Sequence, residues 1–126
     1  MDPEIKNQWV AALRSGNYKQ GRDRLYRPAT HDQDAQYCCL GVLCIIAEKQ
    51  NVVKWKNDEE GFIDPKNNAD FSDATLPVVV RDWAGLSECN PEVCVDEESN
   101  DSGPIGILND NGYTFDLLAD FIETQL

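Results

Sequence analysis

Apolar residues recur at helical spacing near the start of the chain, where Ile5, Trp9, Ala12 and Leu13 fall on one face. Asp2 is placed to cap this segment and Pro3 fits its first turn. Gly16, just past Arg14, marks its end, so a helix over 3–15 is predicted. Residues 17–27 are polar and cationic, with a short strand expected at about 23–27. Residues 28–36, with Pro28, Thr30, Asp32 and Asp34, read as a loop. The most apolar stretch follows. Its length and its Ala-Glu-Lys-Gln ending favour a helix over 37–50 rather than a strand. Leu40, Leu43, Ile46 and Ala47 mark its inner face. Gly41 permits close packing there, at about 1 kcal/mol in helix propensity.

Strands are predicted at Val52–Trp55, Gly61–Ile63 and, at an edge, Asn90–Val95. The rest of 56–75 is polar and turn-rich. Val78-Val79-Val80 is compatible with a strand, but Pro77 and Gly85 punctuate a short helix over 77–84. Residues 96–104 read as an acidic loop. Ile105–Leu108 is a short apolar piece leading into the turn Asn109-Asp110-Asn111-Gly112. Thr114 caps a last helix over 115–125, with Phe115, Leu118, Ala119 and Ile122 inward. The expected fold is α+β: three to four helices packed on a small antiparallel sheet, in one domain spanning 1–126. Trp9, Trp55 and Trp83 are expected as core anchors.

Charge changes this picture most. The 126 residues carry a formal net charge of −12. Residues 1–56 hold nine Lys/Arg against six Asp/Glu, a net of +3, while 57–126 hold two against 17, a net of −15. Extended duplex binding is excluded, because coating phosphates requires Lys and Arg in excess. The longest apolar run is far short of the roughly 20 residues that span a bilayer, so no membrane association is expected. The acidic Met-Asp-Pro-Glu start does not resemble a signal peptide. Cys38, Cys39, Cys44, Cys89 and Cys94 are odd in number and read as reduced thiols. Their spacing fits a zinc site poorly, and no metal or other cofactor is expected. His31 lies beside Asp32 and Asp34 and offers no cysteine a base. The acidic loop fails the EF-hand pattern, because Asp101 and Ile107 stand where glycine and glutamate are required. No P-loop, dinucleotide-binding glycine pattern, nucleophile elbow or HExxH is present, and the protein is expected not to be an enzyme.

Two surfaces remain as candidates. Segment 18–27 combines the guanidinium forks of Arg22, Arg24 and Arg27 with the rings of Tyr18 and Tyr26, a set able to hold a phosphate-bearing nucleotide. Gln20 belongs to the same set, and Asn109 or Asp110 would read a polar edge of that ligand. The bland alternative is that these arginines pair with the chain's own carboxylates. The second surface is acidic: Asp96, Glu97, Glu98, Asp101, Asp116, Asp120 and Glu123 would steer the protein to a basic partner.

Several strings together resemble a family of small proteins encoded by bacteriophages and prophages. They are Trp9-Val10-Ala11-Ala12-Leu13-Arg14-Ser15-Gly16, Tyr18-Lys19-Gln20-Gly21, Tyr37-Cys38-Cys39-Leu40-Gly41-Val42-Leu43-Cys44, Leu76-Pro77 with Trp83-Ala84-Gly85-Leu86, and Leu108-Asn109-Asp110 with Gly112 and Thr114-Phe115. The resemblance implies viral origin and a bacterial cytoplasm, not an activity. Its polar motif positions fall here on Gln20, Asn109 and Asp110. The expected function is a phage accessory protein that binds and inhibits a host defence or nucleic-acid-acting protein through the acidic face. A nucleotide sponge using 18–27 is the alternative, and a virion or assembly component the third reading.

Overall fold

A computed structural model describes residues 1–96, 98 and 101–126. The expected α+β class holds. Five helices and three small antiparallel sheets occur among the described residues. The first helix, α1 (Pro3–Arg14), starts as its sequence dictates, with the Asp2 carboxylate accepting from the amides of Glu4 and Ile5. It lies along the last helix, α5 (Phe115–Gln125), whose cap is the Thr114 hydroxyl. Between the expected helices, α2 (Cys39–Lys49) is buried from Cys39 through Cys44. A helix buried on every side needs no amphipathic stripe, which is why its sequence shows an apolar run. Trp9 is fully buried against it and donates its indole N–H to the Cys39 carbonyl at 2.8 Å. Trp55 and Trp83 are half-buried at the margin of the core.

α2 starts later than expected because its approach is extended. Tyr26–Arg27 (β1) pairs with Gln36–Tyr37 (β2), joining Tyr26 to Tyr37 across the ladder. Cys38 then serves as N-cap, its sulfur accepting from the Gly41 amide at 3.4 Å. A three-stranded sheet follows from Lys54–Lys56 (β3), Gly61–Asp64 (β4) and Ala69–Ser72 (β5). β5 falls in a stretch expected to be turns. It pairs with β4 at Ala69 and Ser72, the register shifts between them where Asp70 sits at φ 59°, and the Asp70 carboxylate caps Val79. The ambiguous valines form the helix α3 (Val78–Ala84), ended by Gly85 at φ 73°.

Glu92–Asp96 (β6) pairs with Asp101–Pro104 (β7), so the expected acidic loop 96–104 is strand at Asp96 and from Asp101 to Pro104, while 97, 99 and 100 lie outside the described residues. The apolar piece after it and the first half of the expected turn are one short helix, α4 (Ile105–Asp110). α4 lacks a cap of its own, and the Asn90 side chain accepts from Gly106 N–H at 2.8 Å instead. Gln125 binds both backbone groups of Cys94, clamping β6 to the end of α5. No described helix is long and apolar enough to cross a membrane.

Candidate functional site

Segment 18–27 has almost no regular structure, so other elements must hold it. Lys19 and Gly21 bracket Tyr37 in a short parallel bridge, with Gly21 N–H donating to the Tyr37 carbonyl at 2.7 Å and Tyr37 N–H donating to Lys19 at 2.9 Å. Asp23 adopts φ 70°, a conformation Asp tolerates better than most residues, and its N–H donates to the Asp110 carboxylate at 2.9 Å. Leu25 is fully buried. Its N–H donates to Asp73, and its carbonyl accepts from Cys38.

Asn109 is the brace behind this segment. It is fully buried, and both ends of its amide are saturated. Its oxygen accepts from Gln20 Nε2 at 2.8 Å and from Cys39 N–H at 3.2 Å. Its nitrogen donates to the Gly21 carbonyl at 2.8 Å and to Asp110 at 3.2 Å. The amide orientation is fixed by its partners, since Cys39 N–H can only donate and Gly21 C=O can only accept. The amide of Gln20 is also committed, donating a second bond to the Tyr113 carbonyl. These bonds place the two polar motif residues differently. Asn109 is fully buried and committed within the chain, while Asp110 is half-buried, one of its carboxylate oxygens accepting from Asp23 and Asn109. Their polar motif character reflects a buried network.

The arginines separate into two kinds. Arg24 lies 3.7 Å from Glu60 and 3.9 Å from Asp73, and Arg14 bonds Asp120 at 2.5 Å and Glu123 at 2.9 Å. These side-chain bonds raise the Arg14 pKa further above its ordinary value. Arg22 and Arg27 have no carboxylate within ion-pairing distance among the described residues. Arg27 reaches back to the Arg22 carbonyl only through a long bond of 3.5 Å. Both side chains line a broad, open depression of about 460 Å³, walled also by Gln20, Gly21, Asp23, Gln33 and Gln36. A second depression of about 270 Å³ lies beside it, sharing Arg27 and Gln33 and adding Arg24, Tyr26, Pro28 and Glu60. Tyr18 is elsewhere, edge-on to Tyr37 at 5.0 Å. It begins a chain of rings through Tyr26 and Trp55 to Phe62.

Gln33 and Gln36 are additions to the expected set. Uncharged residues in a polar loop give no signal of their own. Only the pairing of Tyr26 with Tyr37 folds that loop back over Arg22.

The acidic candidates are spread along α5 and the β6–β7 hairpin. Asp116 is exposed in the first turn of α5, while Asp120 and Glu123 are engaged by Arg14. Asp96 and Asp101 face each other across the hairpin, and Glu98 donates its N–H to Asp96. Glu97 lies outside the described residues.

Three of the five thiols are buried. Burial pushes the Cys38 thiol up to about 11, and Cys39 and Cys44 well above their ordinary value. His31 is exposed and faces Asp32 at 3.2 Å. A native-state thiol assay near neutral pH should modify the half-buried Cys89 and Cys94 and spare the other three, all five reacting once the chain is unfolded. Folding also becomes pH-dependent. The unfolded thiols release protons near pH 9 while folded Cys38 holds its proton to about 11. The unfolded state therefore binds fewer protons in that window. Stability falls as pH rises through it, by roughly 1.4 kcal/mol per unit for one such thiol, measurable by urea titration at pH 8 and 10.5. No group of three or more His, Cys, Asp or Glu able to hold a metal is found among the described residues.

A family model described as Domain of unknown function (DUF8296) matches residues 1–126. No curated protein and no solved structure matches the chain.

Proposed function

The chain belongs to the family described as a domain of unknown function (DUF8296), and within it we propose a non-enzymatic binding protein for a small phosphate-bearing ligand, held at Arg22 and Arg27. One observation carries this reading. In a chain of net charge −12, Arg22 and Arg27 line one open cavity, beside Asp23, and neither has a carboxylate within ion-pairing distance among the described residues. The chain's surplus of acid could have neutralised them, as it does Arg14. An unpaired guanidinium fork is a ready site for phosphate oxygens, bound two at a time. The local +3 half makes such a site compatible with an acidic protein. In keeping with the resemblance to phage-encoded proteins, we place this binding in the cytoplasm of an infected bacterium.

The test is calorimetric titration of pyrophosphate into the wild type and into Arg22→Ala and Arg27→Ala. Each substitution should weaken binding about tenfold or more, as loss of a hydrogen bond to a charged group requires. Heat signals identical in all three proteins would sink the reading.

A second reading, inhibition of a basic host protein through the acidic face, is supported by the Gln125 clamp that ties the acidic hairpin to α5. The engagement of Asp120 and Glu123 by Arg14 leaves it the weaker of the two. The surfaces lie on opposite sides of the charge split, so charge changes confined to one half separate them.

A further inference from the structure

We infer that the ligand is a nucleoside phosphate, its phosphates on the Arg22 side of Arg27 and its ring on the Tyr26 side; this rests on the anion site proposed above. The first observation is that the two depressions meet at Arg27 and Gln33, so one molecule can occupy both. Their linings then differ in kind. The larger one offers two guanidinium groups, three amide side chains, backbone and one carboxylate, Asp23, with no aromatic side chain. The smaller one offers the ring of Tyr26 and the flat face of Pro28, with Thr30 and Glu60 at its rim.

A second anionic group would meet Glu60, so a polyphosphate or an inositol phosphate fits the pair poorly. A planar ring suits it better. Tyr26 and Pro28 supply apolar surface, while the Glu60 carboxylate accepts N–H donors from a base edge. Glu60 is aimed by Arg24, 3.7 Å away, which also offsets its charge. The Tyr26 side chain is itself set by neighbours, stacked on Tyr37 at 5.1 Å and edge-on to Trp55 at 4.8 Å. The loop over the junction is closed on itself. Thr30 N–H donates to the Gln33 carbonyl, and Gln33 N–H donates to the Thr30 hydroxyl. The volumes agree with this class: the larger depression alone lies in the roughly 300–1,000 Å³ range of small-molecule sites, far more than one phosphate fills.

Calorimetry with pyrophosphate and with the ribonucleoside diphosphates of all four bases tests this. At least one nucleoside diphosphate should bind about tenfold or more tightly than pyrophosphate, the scale of one stacked base. Tyr26→Leu and Glu60→Gln should each narrow that gap, with circular dichroism and thermal melting showing that the variants are folded. If Tyr26→Leu fails to fold, Glu60→Gln carries the test alone. Equal affinities for pyrophosphate and every nucleotide would overturn the inference and leave the anion site standing. A gap that survives both substitutions would place the ring elsewhere and overturn it too. Binding of neither probe would remove the anion site itself.

Discussion

Gly41→Ala should cost the protein at least about 3 kcal/mol, the upper end of what overpacking a core usually does. Alanine is the best helix former, and in an exposed helix interior this change would gain about 1 kcal/mol. Position 41 inverts that sign. A Cβ built there lies 1.6 Å from the Leu25 carbonyl oxygen and 2.5 Å from its carbon. Both are backbone atoms, and Leu25 has little room to retreat. Its N–H is bound to Asp73 on one side and its carbonyl to Cys38 on the other. Either the first turn of α2 or the whole of segment 24–26 must move. The melting temperature should fall by about 10 °C or more for a domain of this size. Because Arg24, Tyr26 and Arg27 flank Leu25, any folded remainder should also lose anion binding. A variant as stable as the wild type would show that α2 and Leu25 are not in this contact.

Asn109→Leu should be nearly as damaging, for the opposite reason. Leucine has about the right shape and suits a fully buried position, yet it leaves several partners stranded. Cys39 N–H loses its acceptor, the Gly21 carbonyl loses its donor, and Gln20 Nε2 keeps only the Tyr113 carbonyl. Each buried orphan costs about 1–3 kcal/mol, so a total of roughly 3 kcal/mol or more is expected by urea titration. Asn109→Asp is the sharper companion. The introduced carboxylate would face the Gly21 carbonyl and the Asp110 carboxylate, two acceptors, in a buried place. Both burial and Asp110 raise its pKa. Its folded pKa would exceed its unfolded one, so the deficit should be large at pH 7 and shrink as pH falls toward 4. A pH-independent deficit would mean that Asn109 is not the amide brace described.

These two residues mark how far the sequence could be read. Helices with their own punctuation were legible: Asp2 and Pro3 for α1, Pro77 and Gly85 for α3, Thr114 for α5. The short helix α4 was not, because its capping group comes from Asn90, more than a dozen residues away. Likewise β5 depends on its partner rather than on β-forming residues. Gly41 signalled close packing, but not against what; the neighbour is sixteen residues back in the chain, in a segment without periodicity. At the candidate site the arginines were legible as chemistry. Which of them would be neutralised was not, since the partners of Arg14 and Arg24 come from α5 and from Glu60 and Asp73. Asn109 looked like a ligand contact because polar residues in a turn usually face water. Only the arrival of Gln20, Gly21 and Cys39 around it makes it part of the interior.

The charge split has a corresponding physical meaning. Arg14, from the basic half, is drawn across to α5 in the acidic half. That exposed contact is screened by water and salt and holds little of the fold. Arg22 and Arg27 stay on their own side, near Gly112 and the loop that carries Gln33 and Gln36. We propose that these two cations hold an anion from outside the chain.

Residue-resolved titration reaches that claim most directly. Pyrophosphate is added to isotopically labelled protein at low salt, and backbone amide shifts are followed by NMR. The largest changes should fall on Gly21, Arg22, Arg27, Gln33 and Gln36, with α5 and the β6–β7 hairpin unmoved. Shifts centred on Arg14 and α5, or no saturable shift at all, would contradict it.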